Sequence, residues 1–158
     1  PIVMMLTSPL GGGLSDKYGT RLPAVVGLSL IALNSILVGF FKENTSIIFV
    51  MFVLCMVGAG NGLSVSAINS AILGSAPKEY SGVASGMLAT MRNIGQTLGT
   101  AIGSVMLIMR QTHYEEEAGF SKNAIYLFAQ RDTFLVGSAL AVLGILLVMQ
   151  IPKKKRIQ

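Results

Sequence analysis

Charge is absent from four stretches of this chain: residues 22–41, 44–77, 93–109 and 133–152 contain no Lys, Arg, Asp or Glu. Nothing else in the sequence constrains the fold as strongly. About 20 uncharged, mostly apolar residues suffice to cross the hydrocarbon of a bilayer as a helix. Inside the bilayer every backbone N–H and C=O must be satisfied within the segment, which a helix does. Signal peptides come singly at an N-terminus, so they do not explain four such runs. Composition agrees: 12% of residues are charged, against about 25% in soluble domains, and the mean hydropathy is +0.66. A very apolar soluble bundle would need polar helix faces that these segments lack. The expected class is all-α, a polytopic transmembrane helical bundle.

The punctuation sets the boundaries. The opening run to residue 14 is apolar but short and ends in Gly11-Gly12-Gly13. It reads as a partial span whose beginning lies upstream, so the chain is expected to be the C-terminal part of a longer protein. Further spans are expected over about 22–41, 46–75, 81–109 and 132–151. Pro23 suits the first turn of its helix, where a missing N–H costs nothing. Ser46 and Asp132 are expected N-caps. A loop is expected over 110–131, holding Glu115, Glu116 and Glu117, with a short interfacial helix at 124–129. A basic tail, Lys153-Lys154-Lys155-Arg156, falls in 152–158. Placing the C-terminus in the cytoplasm puts Lys17, Arg21, Lys78 and this tail inside, and leaves Lys42, Arg110, Lys122 and Arg131 outside. That is the orientation favoured by the bias of basic residues toward the cytoplasm.

Several chemistries are not indicated. The net charge of +5 comes from residues flanking apolar spans, without interleaved aromatics, so nucleic acid is not an expected partner. The sole cysteine, Cys55, has no partner for an internal disulfide and reads as a small packing residue. The sole histidine, His113, falls in the expected loop. No metal-ligand, nucleotide or nucleophile signature is present. No catalytic residues, metal or cofactor are expected, and the chain does not read as an enzyme.

The most specific string runs Gly13-Leu14-Ser15-Asp16-Lys17-Tyr18-Gly19-Thr20-Arg21. By composition it is a tight basic turn on the cytoplasmic side. Asp16 can meet a helix N-terminus, and Lys17 and Arg21 can pair with neighbouring acids. The string resembles the signature loop of the major facilitator superfamily, G-x-L-[small]-D-[RK]-x-G-[RK]-[RK], through Gly13, Leu14, Asp16, Lys17, Gly19 and Arg21. Thr20 stands where the family often has a basic residue, and Leu22 follows Arg21 in place of a second one. The resemblance implies the second copy of the loop, in the C-terminal half. It also implies that Asp16, Lys17 and Arg21 form charge contacts that lock one of two alternating conformations.

A second string, Pro77-Lys78-Glu79-Tyr80-Ser81-Gly82-Val83-Ala84-Ser85-Gly86, continues to Arg92, Asn93, Gly95, Gln96 and Gly99. It resembles the penultimate helix of the fourteen-helix drug:proton antiporters. That likeness implies a plasma-membrane, multi-pass secondary transporter working by alternating access. The implied substrate is a small lipophilic or cationic molecule, exported against a proton gradient with the missing N-terminal half as partner. Other readings stay open: a facilitator-family transporter of a metabolite or sugar, and a non-transporting membrane sensor or assembly protein.

From the residues themselves, Gly95, Gly99 and Gly103 lie four apart and make a smooth strip suited to close helix packing. Arg92 inside a span costs roughly 2.5–3.5 kcal/mol on insertion scales unless paired or hydrated. It is a functional candidate, or an Arg knitting helices near the cytoplasmic side. Asn93, Gln96, Asn61, Asn69 and Asn34 are intramembrane polar candidates, either lining a pathway or bonding between helices. No Asp or Glu falls inside any expected span, so a proton-coupling carboxylate is expected upstream of Pro1.

Overall fold

The structure, a computed structural model, describes residues 1–42, 44–116 and 122–150. It is helical throughout, with no strand among the described residues. The elements are α1 (Ile2–Tyr18), α2 (Arg21–Val38), α3 (Ile47–Ser75), α4 (Ser81–Glu116) and α5 (Lys122–Met149), with one 3-10 turn, Lys78–Tyr80, before α4. The basic tail, Glu43 and Glu117 lie outside the described residues.

Local chemistry explains most of the breaks. Gly19 ends α1 at φ 87°, in the left-handed region where a side chain is strained. Pro23 is buried in the first turn of α2. Between α2 and α3, the Thr45 hydroxyl accepts from the Lys42 N–H at 2.6 Å and donates to the Lys42 carbonyl at 2.7 Å. Ser46 does precede α3, but its side chain makes no capping hydrogen bond. Pro77 separates α3 from α4.

Three boundaries differ from the sequence expectation. Gly11, Gly12 and Gly13 lie inside α1, which continues to Tyr18; glycine is tolerated in a helix where another backbone comes close, and at Gly11 it does. The expected loop 110–131 is mostly helix, because α4 runs on to Glu116 and α5 already begins at Lys122. The short helix at 124–129 is therefore the first part of α5. Asp132 is not an N-cap but lies well inside α5, its charge met from α4.

The helices alternate in direction. Val3, Gly11 and Gly12 of α1 meet Gly58, Leu63 and Ser66 of α3 in turn, so these two run parallel. Gly27 of α2 meets Gly60 and Ser64, while Asn34 reaches Val53, so α2 runs antiparallel to α3. Leu28 of α2 and Gly39 at its C-terminal end meet Gly144 and Arg131 of α5, so these two are antiparallel; Arg110 and Tyr114 of α4 meet Asp132 and Phe128, which sets α4 antiparallel to α5. α3 packs extensively on α1 and α2, α2 on α5, and α5 on α4; the α3–α4 contact is slight.

The buried residues are small: Ala24, Ala32, Ala67 and Ala129, with Pro23, Val38, Val53 and Ile125. The large apolar side chains, such as Met51, Phe52, Leu54, Leu143 and Leu147, face outward. That inversion fits a chain whose solvent is lipid, where close backbone approach replaces a hydrophobic core. Among the described residues, α2, α3 and the 124–149 part of α5 are long and apolar enough to cross a membrane. α4 is longer than any of them but is diluted by Arg92, Asn93, Gln96 and its glycines.

Candidate functional site: one packed block and one bare polar helix

α3 is the axis of the packed part. Its Gly58-Ala59-Gly60-Asn61-Gly62 run serves two neighbours at once, because successive even positions turn toward different faces of a helix. On the α2 side, a Cβ placed at Gly27 would lie 2.6 Å from both the Gly60 carbonyl oxygen and the Ser64 nitrogen. On the α1 side, one at Gly11 would lie 2.9 Å from the Leu63 carbonyl, and one at Gly62 would overlap the Thr7 hydroxyl. At Gly27 and Gly11 the obstructing atoms are backbone and only glycine fits; at Gly62 the Thr7 side chain would have to turn aside. Clustered glycines in mid-helix can serve a bend or close packing; here they serve packing.

The strip in α4 behaves differently. A Cβ at Gly95, Gly99 or Gly103 would meet nothing within 4 Å among the described residues. No described residue of α4 is buried. Among the described residues these glycines therefore pack no neighbouring helix, since α4 leans on α5 by its far end. Asn93 and Gln96 are exposed on the same helix.

The asparagines separate by partner. Asn34 is 5% exposed and donates to the Val53 carbonyl of α3. Asn61 donates to the Val57 carbonyl of its own helix at 3.0 Å. Both satisfy buried or half-buried amides inside the bundle. Asn69 instead accepts from an Arg92 guanidinium nitrogen at 2.9 Å, joining α3 to α4 where their contact is otherwise slight. The α1–α3 register carries Asn69 to about the level of Ser15. Arg92 thus sits near the glycine-capped end of α1, and the first turns of α4 extend past it.

At that same end are the signature-loop residues. Asp16 and Lys17 are exposed in the last turn of α1, and Arg21 is half-buried at the start of α2. The Lys17 ammonium lies 5.4 Å from the Tyr18 ring centroid. Asp16 does not reach a helix N-terminus; it stands at the negative end of its own helix dipole, which disfavours a carboxylate by roughly 0.3–1 kcal/mol. Its side chain has no hydrogen-bond or ionic partner among the described residues. Gly13 is exposed, and a Cβ there would meet nothing within 4 Å, so Gly19 is the glycine this turn requires.

The opposite end carries a cluster that the sequence did not reveal. Asp132 Oδ2 accepts from the Tyr114 hydroxyl at 3.0 Å and lies 3.4 Å from Arg110 Nε. The Tyr114 ring packs on Phe128, centroids 5.7 Å apart. Asp132 falls within Ala124–Met149, the part of α5 long and apolar enough to cross a membrane, and not at the start of its helix. The signal was the apolar run 124–129, which continues in helical phase through Arg131 and Asp132 instead of ending before them. Among the described residues no group of three or more acidic, His or Cys side chains could hold a metal ion.

Comparison with known proteins places this architecture. The model of the Major Facilitator Superfamily matches residues 1–100. The riboflavin transporter RibZ of Clostridioides difficile is 26% identical over 98% of this chain and 33% of its own length. The transporter YebQ of Escherichia coli is 36% identical over 68% of the chain and 23% of its own. The multidrug resistance protein Stp of Mycobacterium tuberculosis is 34% identical over 64% of the chain and 19% of its own. This chain thus spans a third or less of the length of these curated relatives. No solved structure matches it. The all-helical alternating bundle, the glycine-capped signature turn and the match over residues 1–100 make this chain a member of the major facilitator superfamily, a family of multi-pass membrane transporters and not of enzymes.

Proposed function

We propose that the chain is the C-terminal part of a secondary active transporter that exports lipophilic or cationic small molecules in exchange for protons. The observation that carries the reading is the contrast between the glycine-stitched α1–α2–α3 block and the uncovered polar strip of α4. A rigid block with a small, polar, unpacked helix against it is what a rocking half needs: a body that moves as one, and a face for the pathway or the opposite half. In this reading Gln96, Asn93 and Thr100 face that pathway. Asp16, Lys17 and Arg21 form the conformational lock, and the Arg92–Asn69 bond braces α4 at the same, cytoplasmic, end. The protein lies in the plasma membrane. The name of the Stp relative supports the multidrug substrate class.

A second reading is supported by the RibZ relative, whose similarity extends over nearly the whole chain: the solute is a single planar metabolite of the riboflavin kind. One experiment separates the two. Full-length protein in proteoliposomes is given an imposed pH gradient, and the movement of ethidium and of riboflavin is followed, with Asp16→Asn as control. Ethidium movement that follows the gradient and falls at least tenfold in Asp16→Asn, at unchanged protein yield, supports the antiporter and the lock. Riboflavin movement without ethidium movement selects the second reading. Wild-type rates in Asp16→Asn remove Asp16 from the lock.

A further inference from the structure

Away from the polar strip, a cleft of about 620 Å³ opens between the end of α2 and the first part of α5. Its lining includes the apolar Phe40, Phe41, Leu127 and Phe128 together with two cations, Lys42 and Arg131. We propose that this cleft binds an anionic phospholipid, its phosphate on Lys42 and Arg131 and the start of an acyl chain against the phenylalanines.

Three observations support that occupant. The first is position. α2 ends at Val38, so the cleft lies where an apolar span gives way to the headgroup layer, the depth at which Lys and Arg extend their charges toward phosphate. The second is how Arg131 is held. Its Cγ would lie 3.3 Å from a Cβ at Gly39, so its stem lies close to another lining residue, a glycine that leaves it room. The third is charge. The nearest described carboxylate in sequence, Asp132, turns to Arg110 and Tyr114 on α4. Its hydrogen bond and ion pair are therefore made to α4 and not to Arg131. Apolar walls with two cations among the lining suit an amphiphile that carries a phosphate. A neutral solute would leave both cations unused, and a free inorganic anion would leave the aromatic wall unused. The site is independent of what the protein transports.

The test uses full-length protein in detergent and reads its thermal unfolding midpoint with added phosphatidylglycerol, phosphatidylcholine or soluble glycerol 3-phosphate. Phosphatidylglycerol is expected to raise the midpoint by several degrees, more than phosphatidylcholine, and glycerol 3-phosphate to leave it unchanged. Lys42→Gln with Arg131→Gln is expected to remove at least half of the phosphatidylglycerol increment while leaving the lipid-free midpoint in place. If the pair does not accumulate, the single substitutions carry the test, since each alters an exposed side chain; at least one must halve the increment. Equal increments from both lipids, or an increment unchanged in the variants, would overturn the proposal, as would happen if another segment of the protein covers the cleft. An increment reproduced by glycerol 3-phosphate alone would make this a free-anion site and overturn the lipid.

Discussion

Two glycine-bearing helices in this chain have opposite fates. In α3, Gly60 and Gly62 are buried between two neighbouring helices. In α4, Gly95, Gly99 and Gly103 touch nothing among the described residues. Small residues on a helix in lipid allow close packing in either case. The difference lies in what stands opposite. α3 faces Gly11 on α1 and Gly27 on α2, glycine against helix backbone, whereas the α4 side chains that reach its neighbours are Arg92 toward α3 and Arg110 and Tyr114 toward α5. A strip of small residues therefore marks where a helix can be approached, and not which surface approaches it.

The sharpest way to break this comparison is to fill both kinds of glycine. Gly27→Leu must push α2 off α3 because the obstructing atoms are backbone, which cannot rotate away. Overpacking of this kind costs about 1–3 kcal/mol and sometimes more. Most of the folded protein should be lost, as read by size-exclusion yield and unfolding midpoint. Near-normal yield would show that the α2–α3 seam is not as close as described.

Gly99→Leu should do the reverse. With nothing within 4 Å, the leucine should leave yield close to wild type, yet slow transport at least tenfold if the strip faces the pathway or the opposite half. Measured in the same proteoliposomes, unchanged transport would turn the strip into a surface facing lipid.

The Arg92–Asn69 bond tests whether α4 is braced where its packing is thin. Hydrogen bonds to charged groups are worth about 1.5–3 kcal/mol, and exposure lowers that here. A double-mutant cycle of Arg92→Ala with Asn69→Ala should give a coupling of about 1 kcal/mol. Arg92→Lys should recover part of the loss, because a single charged donor can still reach the amide oxygen. A coupling indistinguishable from zero would make the two residues independent.

How much of this was legible depended on whether a residue's partner was local. Pro23, Pro77 and Gly19 act through their own backbone, so the sequence placed those turns correctly. The charges near 110–132 misled for the opposite reason. Arg131 and Asp132 resemble the end of a loop, yet α5 passes through them because Arg110 and Tyr114, eighteen or more residues away, engage the carboxylate. The asparagines were ambiguous in sequence between pathway and packing, and only the Val53 carbonyl decided Asn34. The uncovered side of α4 likewise depends on surfaces that do not belong to its own segment.

The smallest expected effect concerns the α4–α5 junction, the counterpart of the stitched seam. Tyr114 donates to Asp132, and that hydrogen bond, followed by burial and the carboxylate's charge, holds the phenol above its ordinary value of 10.0, while Arg110 and Arg131 act in the opposite direction. The folded state therefore favours the protonated phenol. The contribution is fully present below pH 10.0 and is lost as pH rises through the higher folded value. Alkaline titration followed by phenolate absorbance, with Tyr114→Phe as the difference, should show one tyrosine ionising later than a free phenol. The unfolding midpoint of wild type should approach that of Tyr114→Phe only at the alkaline end of the series. Because the group is largely solvated, the shift should be small, in contrast to the near-complete loss expected at Gly27. A Tyr114 that ionises at or below the free value would mean that its hydrogen bond to Asp132 is not kept in solution, leaving Arg110 as the group that meets the carboxylate from α4.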